Sequence, residues 1–335
     1  MRNHVFALAD DSMQGRRTGS EGARRAARYI SAQMQTVGLV PAGDSGYWQR
    51  VPMRIRNRPL GGPKLYKLPD WATFDGLPLT ERGVDANLIG VLRGVDPAMR
   101  NTAVIVSAHY DHHGMVRPVF GDSIMNGADD DASGVATIME LARVLSLDPP
   151  PKRSIVFLLT TGEELGMIGV DWYVGHPSIS LERTVAALQV EMTGRPDTAI
   201  GGFGRAWLSG DDRSTLGSML RSAGLPVVPD PRPSQRFFER SDNIAFARRE
   251  IPAHTLSSFG LHKDYHTPAD EPSRIDILHM TAVAKLALES VRILANGPPP
   301  SWNAGGKPVP AVESATTVLS LPARQCALAS SCRRR

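Results

Sequence analysis

Apolar positions along the chain follow two patterns. Behind TGSEG at residues 18–22, Ala23, Ala26, Ala27, Ile30, Met34 and Val37 recur at helical spacing and Gly38 ends the run. This predicts an amphipathic helix with Thr18 and Glu21 as its capping box. Short continuous apolar runs lie at 87–92 (NLIGVL), 103–108 (AVIVSA), 154–160 (SIVFLLT) and 185–192 (VAALQVEM). Bounded by turn signals, they read as strands of a buried sheet, with a further short strand over 251–256. Helical spacing returns over 132–147, from about Leu165, over 212–223 and over 276–295. In the last, Ile277, Met280, Ala284, Ala287, Val291 and Leu294 share the inward face. Strands alternating with helices predict an α/β fold, a three-layer sandwich with a mostly parallel central sheet flanked by helices. Residues 41–83, rich in Pro, Gly and Arg, read as a loop-rich insertion with short strands such as 48–55. Composition shifts to Pro, Ala, Ser and Gly from Gly297. The expectation is one domain over 1–297 and a disordered tail over 298–335.

Composition narrows the class. A hydrophobic fraction of 41% over 335 residues supplies a core, and 21% charged residues is below the level of a disordered chain. The net charge is only +4, with Arg supplying 32 of the 38 basic residues. The pairs Arg16–Arg17, Arg24–Arg25 and Arg248–Arg249 are scattered and read as solvated surface. Without a dense basic stripe, no nucleic-acid partner is expected. No apolar run approaches the roughly 18–20 residues of a membrane span. The patch Val5–Ala9 is followed at once by Asp10 and Asp11, which is not a signal-peptide core. The two readings left open are a cytoplasmic protein and the mature form of an exported one. The cysteines, Cys326 and Cys332, form no CxxC pair, which excludes a thiolate metal site. Any bound metal takes His, Asp and Glu.

Such residues gather where the predicted strands end. HYDHHG brings His109, Asp111, His112 and His113; NGADDDASG brings Asp129, Asp130 and Asp131; TGEELG brings Glu163 and Glu164; QVEM ends in Glu191; and LHKDYHTPADE carries His262, Asp264 and His266. Taken singly, an Asp run before a helix is a cap and a GEE an exposed turn. Taken together, they crowd carboxylates onto the rim of the sheet where α/β folds bind ligands, and cations must neutralise them. Imidazoles and carboxylates without thiolates suit zinc, with cobalt or manganese as alternatives.

In that order, HYDHHG, GADDDASG, TGEELG, VEMTGRP and DYHTPADE resemble the co-catalytic di-zinc aminopeptidases, metallopeptidases related to bacterial leucine aminopeptidase, glutamate carboxypeptidase II and glutaminyl cyclase. RSDN at 240–243 fits the same family, and the resemblance covers about residues 12–295. It implies a phosphorylase/hydrolase-like fold and two zinc ions per chain. The metal ligands it implies are His109, Asp130 (bridging), Glu164, Glu191 and His266. Asp111 is implied to orient His109, and Glu163 to be the general base. At residue 191 the aminopeptidases carry Asp, so Glu191 departs from the pattern by one methylene. The resemblance implies zinc-dependent exopeptidase activity, with a metal-bridging water attacking the N-terminal peptide bond of peptides with a free N-terminus. It also points to export, periplasmic or secreted. Segment 41–83 is too short for an inserted protease-associated domain.

Two other readings compete: a glutaminyl cyclase-like aminoacyltransferase with one zinc, and a non-catalytic peptidase-like binding domain. His112 and His113 are candidates for substrate contact or ligand support, as are His262 and Asp264 for support of His266. His4, His176, His254 and His279 read as surface or satisfied core histidines, and GGFG at 201–204 as a turn.

Overall fold

The computed structural model describes residues 1–57, 63–119 and 121–308. Its strands are β1 (Val40–Pro41), β2 (Trp48–Arg56), β3 (Lys64–Lys67), β4 (Arg82–Leu92), β5 (Ala103–His109), β6 (Gly114–Val119), β7 (Asp122–Met125), β8 (Ser154–Thr160), β9 (Thr184–Glu191), β10 (Ala206–Leu208), β11 (Val227–Pro229) and β12 (Ala253–Ser257). Its α-helices are α1 (Arg2–Leu8), α2 (Glu21–Val37), α3 (Trp71–Asp75), α4 (Gly134–Leu147), α5 (Ile168–Gly175), α6 (Leu216–Ser222), α7 (Asn243–Ala247) and α8 (Ile277–Asn296).

One sheet runs β11-β10-β12-β9-β5-β8-β4-β2-β3, with β1 also on β4. Its centre, β12-β9-β5-β8, is parallel. Beyond β8 the strands turn antiparallel, as does β10 against β12. Every residue of β5 and β8 is buried, because helices cover both faces of the parallel centre. Side chains alternate between those faces. Val104, Val106, Ala108, Ile155, Phe157 and Leu159 pack with α1, α2, α4 and α8, while Ile105, Val156 and Leu158 pack with α5 and α7. This is the expected three-layer sandwich, with the parallel part concentrated at its centre.

Local chemistry moves some boundaries. Helix α2 is capped by Ser20, whose side chain accepts from Ala23 N, and closed by Gly38 in the left-handed region. The predicted cap Thr18 is instead buried, and its hydroxyl donates to Asp111 Oδ2 at 3.0 Å. Residues 128–133 form a wide turn containing a cis Asp130–Asp131 peptide, so α4 starts at Gly134, two residues later than predicted. Helix α1 was not predicted: its seven residues are too few for a readable period, and only Val5 and Leu8 face the core. In the loop-rich insertion the expected strand over 48–55 is β2, and the structure adds β3 and α3.

The fold also continues past Gly297. The Trp302 indole donates to Glu250 O at 2.8 Å and Lys307 Nζ lies 2.9 Å from Glu250 Oε2. The tail expected from 298 is therefore packed as far as Lys307, and residues 309–335, with both cysteines, lie outside the described residues. No described helix is long and apolar enough to cross a membrane.

Candidate metal centre

The parallel register sets the geometry. His109 ends β5 opposite Thr160, the last residue of β8, so Glu163 and Glu164 follow within one turn beside it. Glu191 ends β9, the strand on the other side of β5. The turn before α4 brings the Asp129–Asp131 run, and the loop after β12 brings His266.

Asp130 stands in the middle. Its Oδ1 is 3.3 Å from His109 Nε2 and its Oδ2 is 3.1 Å from His266 Nε2. His266 Nε2 is also 3.4 Å from Glu164 Oε2. Donor atoms of His109, Asp130 and Glu191 all lie within 4.8 Å of one another, so the longer Glu191 side chain reaches the same point. Donors about 2.0–2.2 Å from one tetrahedral ion stand roughly 3.3–3.6 Å apart, which is the spacing seen here. The Nε2 atoms of His109 and His266 and Glu191 Oε2 are buried without hydrogen-bond partners among the described residues. Such orphans cost about 1–3 kcal/mol each unless something binds them. The donor set thus has the chemistry and spacing of a cation site, with Asp130 between His109 and His266.

Only the middle residue of the Asp run faces this centre; its neighbours serve the framework. Asp131 Oδ1 accepts from Gly134 N at 3.0 Å and Met192 N at 2.9 Å. Gly134 is required there, since a Cβ would sit 2.3 Å from Val190 O. Asp129 Oδ1 accepts from Gly194 N at 2.7 Å, and its Oδ2 meets His262 Nε2 at 3.0 Å. Asp270 accepts from the backbone N–H groups of Asp129 and Asp130 and from Arg195 Nη2, while Arg195 Nη1 pairs with Asp264. Sequence reasoning missed Asp270 and Arg195. The only local signal was the acidic pair after YHTP.

Asp111 takes a different contact from the one the resemblance implies. His109 Nδ1 lies 3.2 Å from the Asp111 backbone carbonyl, and the Asp111 carboxylate is 3.8 Å away. That carboxylate accepts from Glu163 N at 3.1 Å and from Thr18, and so fixes the loop of the general-base candidate. Burial pushes Asp111 up to about 6. Burial, with the charges of Glu191, Asp242 and Glu164, raises the Glu163 carboxyl well above its ordinary range. Burial also pushes Asp242 up to about 7. Glu164 is opposite in behaviour: burial works to raise it, but His112 and His266 outweigh burial and hold it at about 2.

Two neighbours given less weight in the sequence, His112 and His113, both reach Glu164. His112 Nδ1 is 2.7 Å from Oε1, and His113 Nε2 is 3.3 Å from Oε2. Behind the centre lies Arg16, which corrects its reading as surface. Its side chain is fully buried and donates to Tyr110 O at 2.8 Å, Leu8 O at 2.6 Å, Asn126 O at 2.6 Å and Gly127 O at 2.9 Å. Burial lowers its pKa to about 10, which leaves it cationic at neutral pH. Arg24, Arg25, Arg248 and Arg249 are exposed as expected. His254 and His279 are buried and hydrogen-bonded, to Ser214 and Ser209 and to Ser258 and Gly204 respectively. Beside Glu191 a pocket of about 40 Å³ is walled by Met192, Trp207, Phe237, Phe259 and Tyr265, the last stacked on His266 with centroids 3.7 Å apart.

Known proteins are similar to this chain in sequence or in fold. YfbL of Escherichia coli (strain K12) is 29% identical over 212 residues, covering 54% of this chain and 63% of that protein. A vacuolar membrane protease of Clavispora lusitaniae is 32% identical over 114 residues, 34% of this chain and 10% of its own length. The chain therefore spans less than two thirds of either relative. A zinc aminopeptidase from Bacillus subtilis has the same fold at a TM-score of 0.63 and 14% identity, covering 88% of this chain and 94% of that one. Glutaminyl cyclase from Porphyromonas gingivalis follows at 0.58 and 13%, covering 87% and 97%. Residues 87–291 match Peptidase family M28, a stretch that contains every candidate ligand and Glu163, and the chain belongs to that family.

Proposed function

We propose that this chain is a zinc-dependent aminopeptidase that hydrolyses the N-terminal bond of peptides at a centre of two zinc ions. The observation that carries the reading is Asp130, which presents one carboxylate oxygen to His109 and the other to His266. His109, Asp130 and Glu191 would hold one ion, and Asp130, Glu164 and His266 the other. Zinc, when bound, supplies polarisation of the scissile carbonyl and a water that ionises near neutral pH.

The remaining steps belong to the chain's own residues. Glu163, with its affinity for protons raised by burial, takes the proton from the attacking water and returns it to the leaving amine. Asp111 holds Glu163 in place through its backbone N–H. The free α-amine of the peptide docks against the carboxylates of the centre. The small pocket beside Glu191, lined by aromatic rings on one side and by Arg240, Ser241, Thr255 and Ser257 on the other, favours a short first residue. Support comes from the family, from the likeness in fold to a zinc aminopeptidase, and from a probable zinc metalloprotease of Pyricularia oryzae that is 41% identical over 86 residues.

The test is metal analysis of the purified protein together with a panel of aminoacyl amides, N-acetylated controls and N-terminal glutaminyl peptides. Two zinc ions per chain and cleavage confined to free N-termini are expected. One zinc with cyclisation of glutaminyl peptides would replace the reading with the cyclase alternative. No turnover across the panel would leave a binding domain.

A further inference from the structure

The centre has two adjacent imidazoles that the proposed reading does not use, and their geometries differ. His112 Nδ1, 2.7 Å from Glu164 Oε1, is spent on aiming that carboxylate. His113 Nε2 instead lies 3.3 Å from Glu164 Oε2, the same oxygen that stands 3.4 Å from His266 Nε2. The rings of His113 and His266 meet edge to face, with centroids 4.2 Å apart and planes at 90°. Donor atoms of His113, Glu164 and His266 all lie within 4.8 Å of one another. Contacts of 3.3 and 3.4 Å are long for hydrogen bonds but are the spacing of ligands of one tetrahedral cation, whose donors stand roughly 3.3–3.6 Å apart. Among the described residues His266 Nε2 has no hydrogen-bond partner, so a cation at this point would meet an available lone pair.

We propose that His113 is a fourth protein ligand of the ion held by Asp130, Glu164 and His266, an inference that rests on the two-ion reading. The two positions are then unequal. The one at His109 has three protein donors and keeps an open place, as catalytic zinc does, while the other has four and is nearly closed. The closed position fills first and empties last.

The test uses protein stripped with a chelator and titrated without substrate. Zinc binding is followed by calorimetry and cobalt(II) binding by its visible spectrum, in wild type and His113→Ala. Wild type shows two binding steps. In the variant the tighter step weakens by about 10–100-fold and its cobalt spectrum changes, while the weaker step moves by no more than about threefold. Free imidazole in the buffer restores the tight step, because His113 is partly open to solvent, with 27% of its side chain exposed. His113→Gln carries the same comparison if the alanine variant does not fold. A single step in wild type overturns the two-ion reading and this inference with it. Two steps in wild type with both affinities and the spectrum unchanged in the variant overturn only the role of His113.

Discussion

Arg16→Met removes a buried cation and keeps most of its length. Four bonds of 2.6–2.9 Å are lost, and the carbonyls of Leu8, Tyr110, Asn126 and Gly127 are left facing a thioether. Each hydrogen bond to a charged group contributes about 1.5–3 kcal/mol, and each stranded acceptor costs about 1–3 kcal/mol. These do not simply add, and the variant escapes the desolvation of a buried guanidinium, worth several kcal/mol. The net expected is about 3–5 kcal/mol, the usual result of removing one partner from a buried charged group. That is a large share of a folding stability of about 5–15 kcal/mol. At roughly 2–4 °C per kcal/mol, Tm falls by about 6–20 °C. The effect also reaches the centre, because Tyr110 O lies between His109 and Asp111, and Gly127 O lies just ahead of the Asp run. The stabilisation that zinc adds is therefore smaller in the variant. Differential scanning calorimetry with excess zinc and with chelator measures both terms. Lys at this position presents a point charge that cannot fork to four carbonyls, so Arg16→Lys recovers less than half of the loss. A variant melting within about 2 °C of wild type, with an unchanged zinc increment, would refute the bracing role.

Further outcomes follow from other residues. Glu163→Gln retains both metals by elemental analysis and loses about 10²–10⁴ in kcat; activity near wild type would remove Glu163 from the proton transfer. Stripping the metals abolishes turnover and lowers Tm, since ligand at about 100 times its Kd adds roughly 2.7 kcal/mol per site; a melt indifferent to chelator would mean the centre is empty in the working protein. Burial holds His254 down at about 4, whereas an unfolded chain titrates it near 6.5. Between those values the unfolded state binds more protons, so His254 costs stability as pH falls from about 6.5 to 4, on the order of 3 kcal/mol in all. Urea melts at pH 7.5 and 4.5 should lie closer together in His254→Asn than in wild type, and an equal gap would show that His254 does not govern the acid limb.

What could be read from the sequence was whatever is local in the chain. His109, Glu163, Glu164 and Glu191 sit on or just beyond strand ends, so their shared edge follows once the strands are placed. Asp130 and His266 follow from short motifs in fixed order. Arg16 could not be read, because its partners are backbone carbonyls, of Leu8 nearby and of two remote segments, and carry no residue identity. Thr18 was misplaced for a related reason. A capping box and a buried hydroxyl facing Asp111 have the same local sequence, and Ser20 two residues later satisfies the cap. The weight given to His113 was low because a ring beside a known ligand motif points inward or outward according to loop geometry. Asp270 escaped because its role is to receive two main-chain N–H groups from a turn 140 and 141 residues away in sequence.

Some of the braces on the centre come from outside the stretch that matches the family, beside those of Asp270 and Asp131 within it. Arg16, Thr18 and the Gly19 N–H bonded to Asp85 all precede residue 87, and Trp302 and Lys307 follow residue 291. A fragment trimmed to residues 87–291 would keep every candidate ligand and Glu163 yet lose Arg16 and Thr18, which hold two of the ligand-bearing loops. The stretch that matches the family and the set of residues that brace its ligands are thus different lengths of this chain. New termini, fusions or insertions belong in the exposed edge loops, and not in the first twenty residues, where Arg16 and Thr18 act in space as the keystone of the centre.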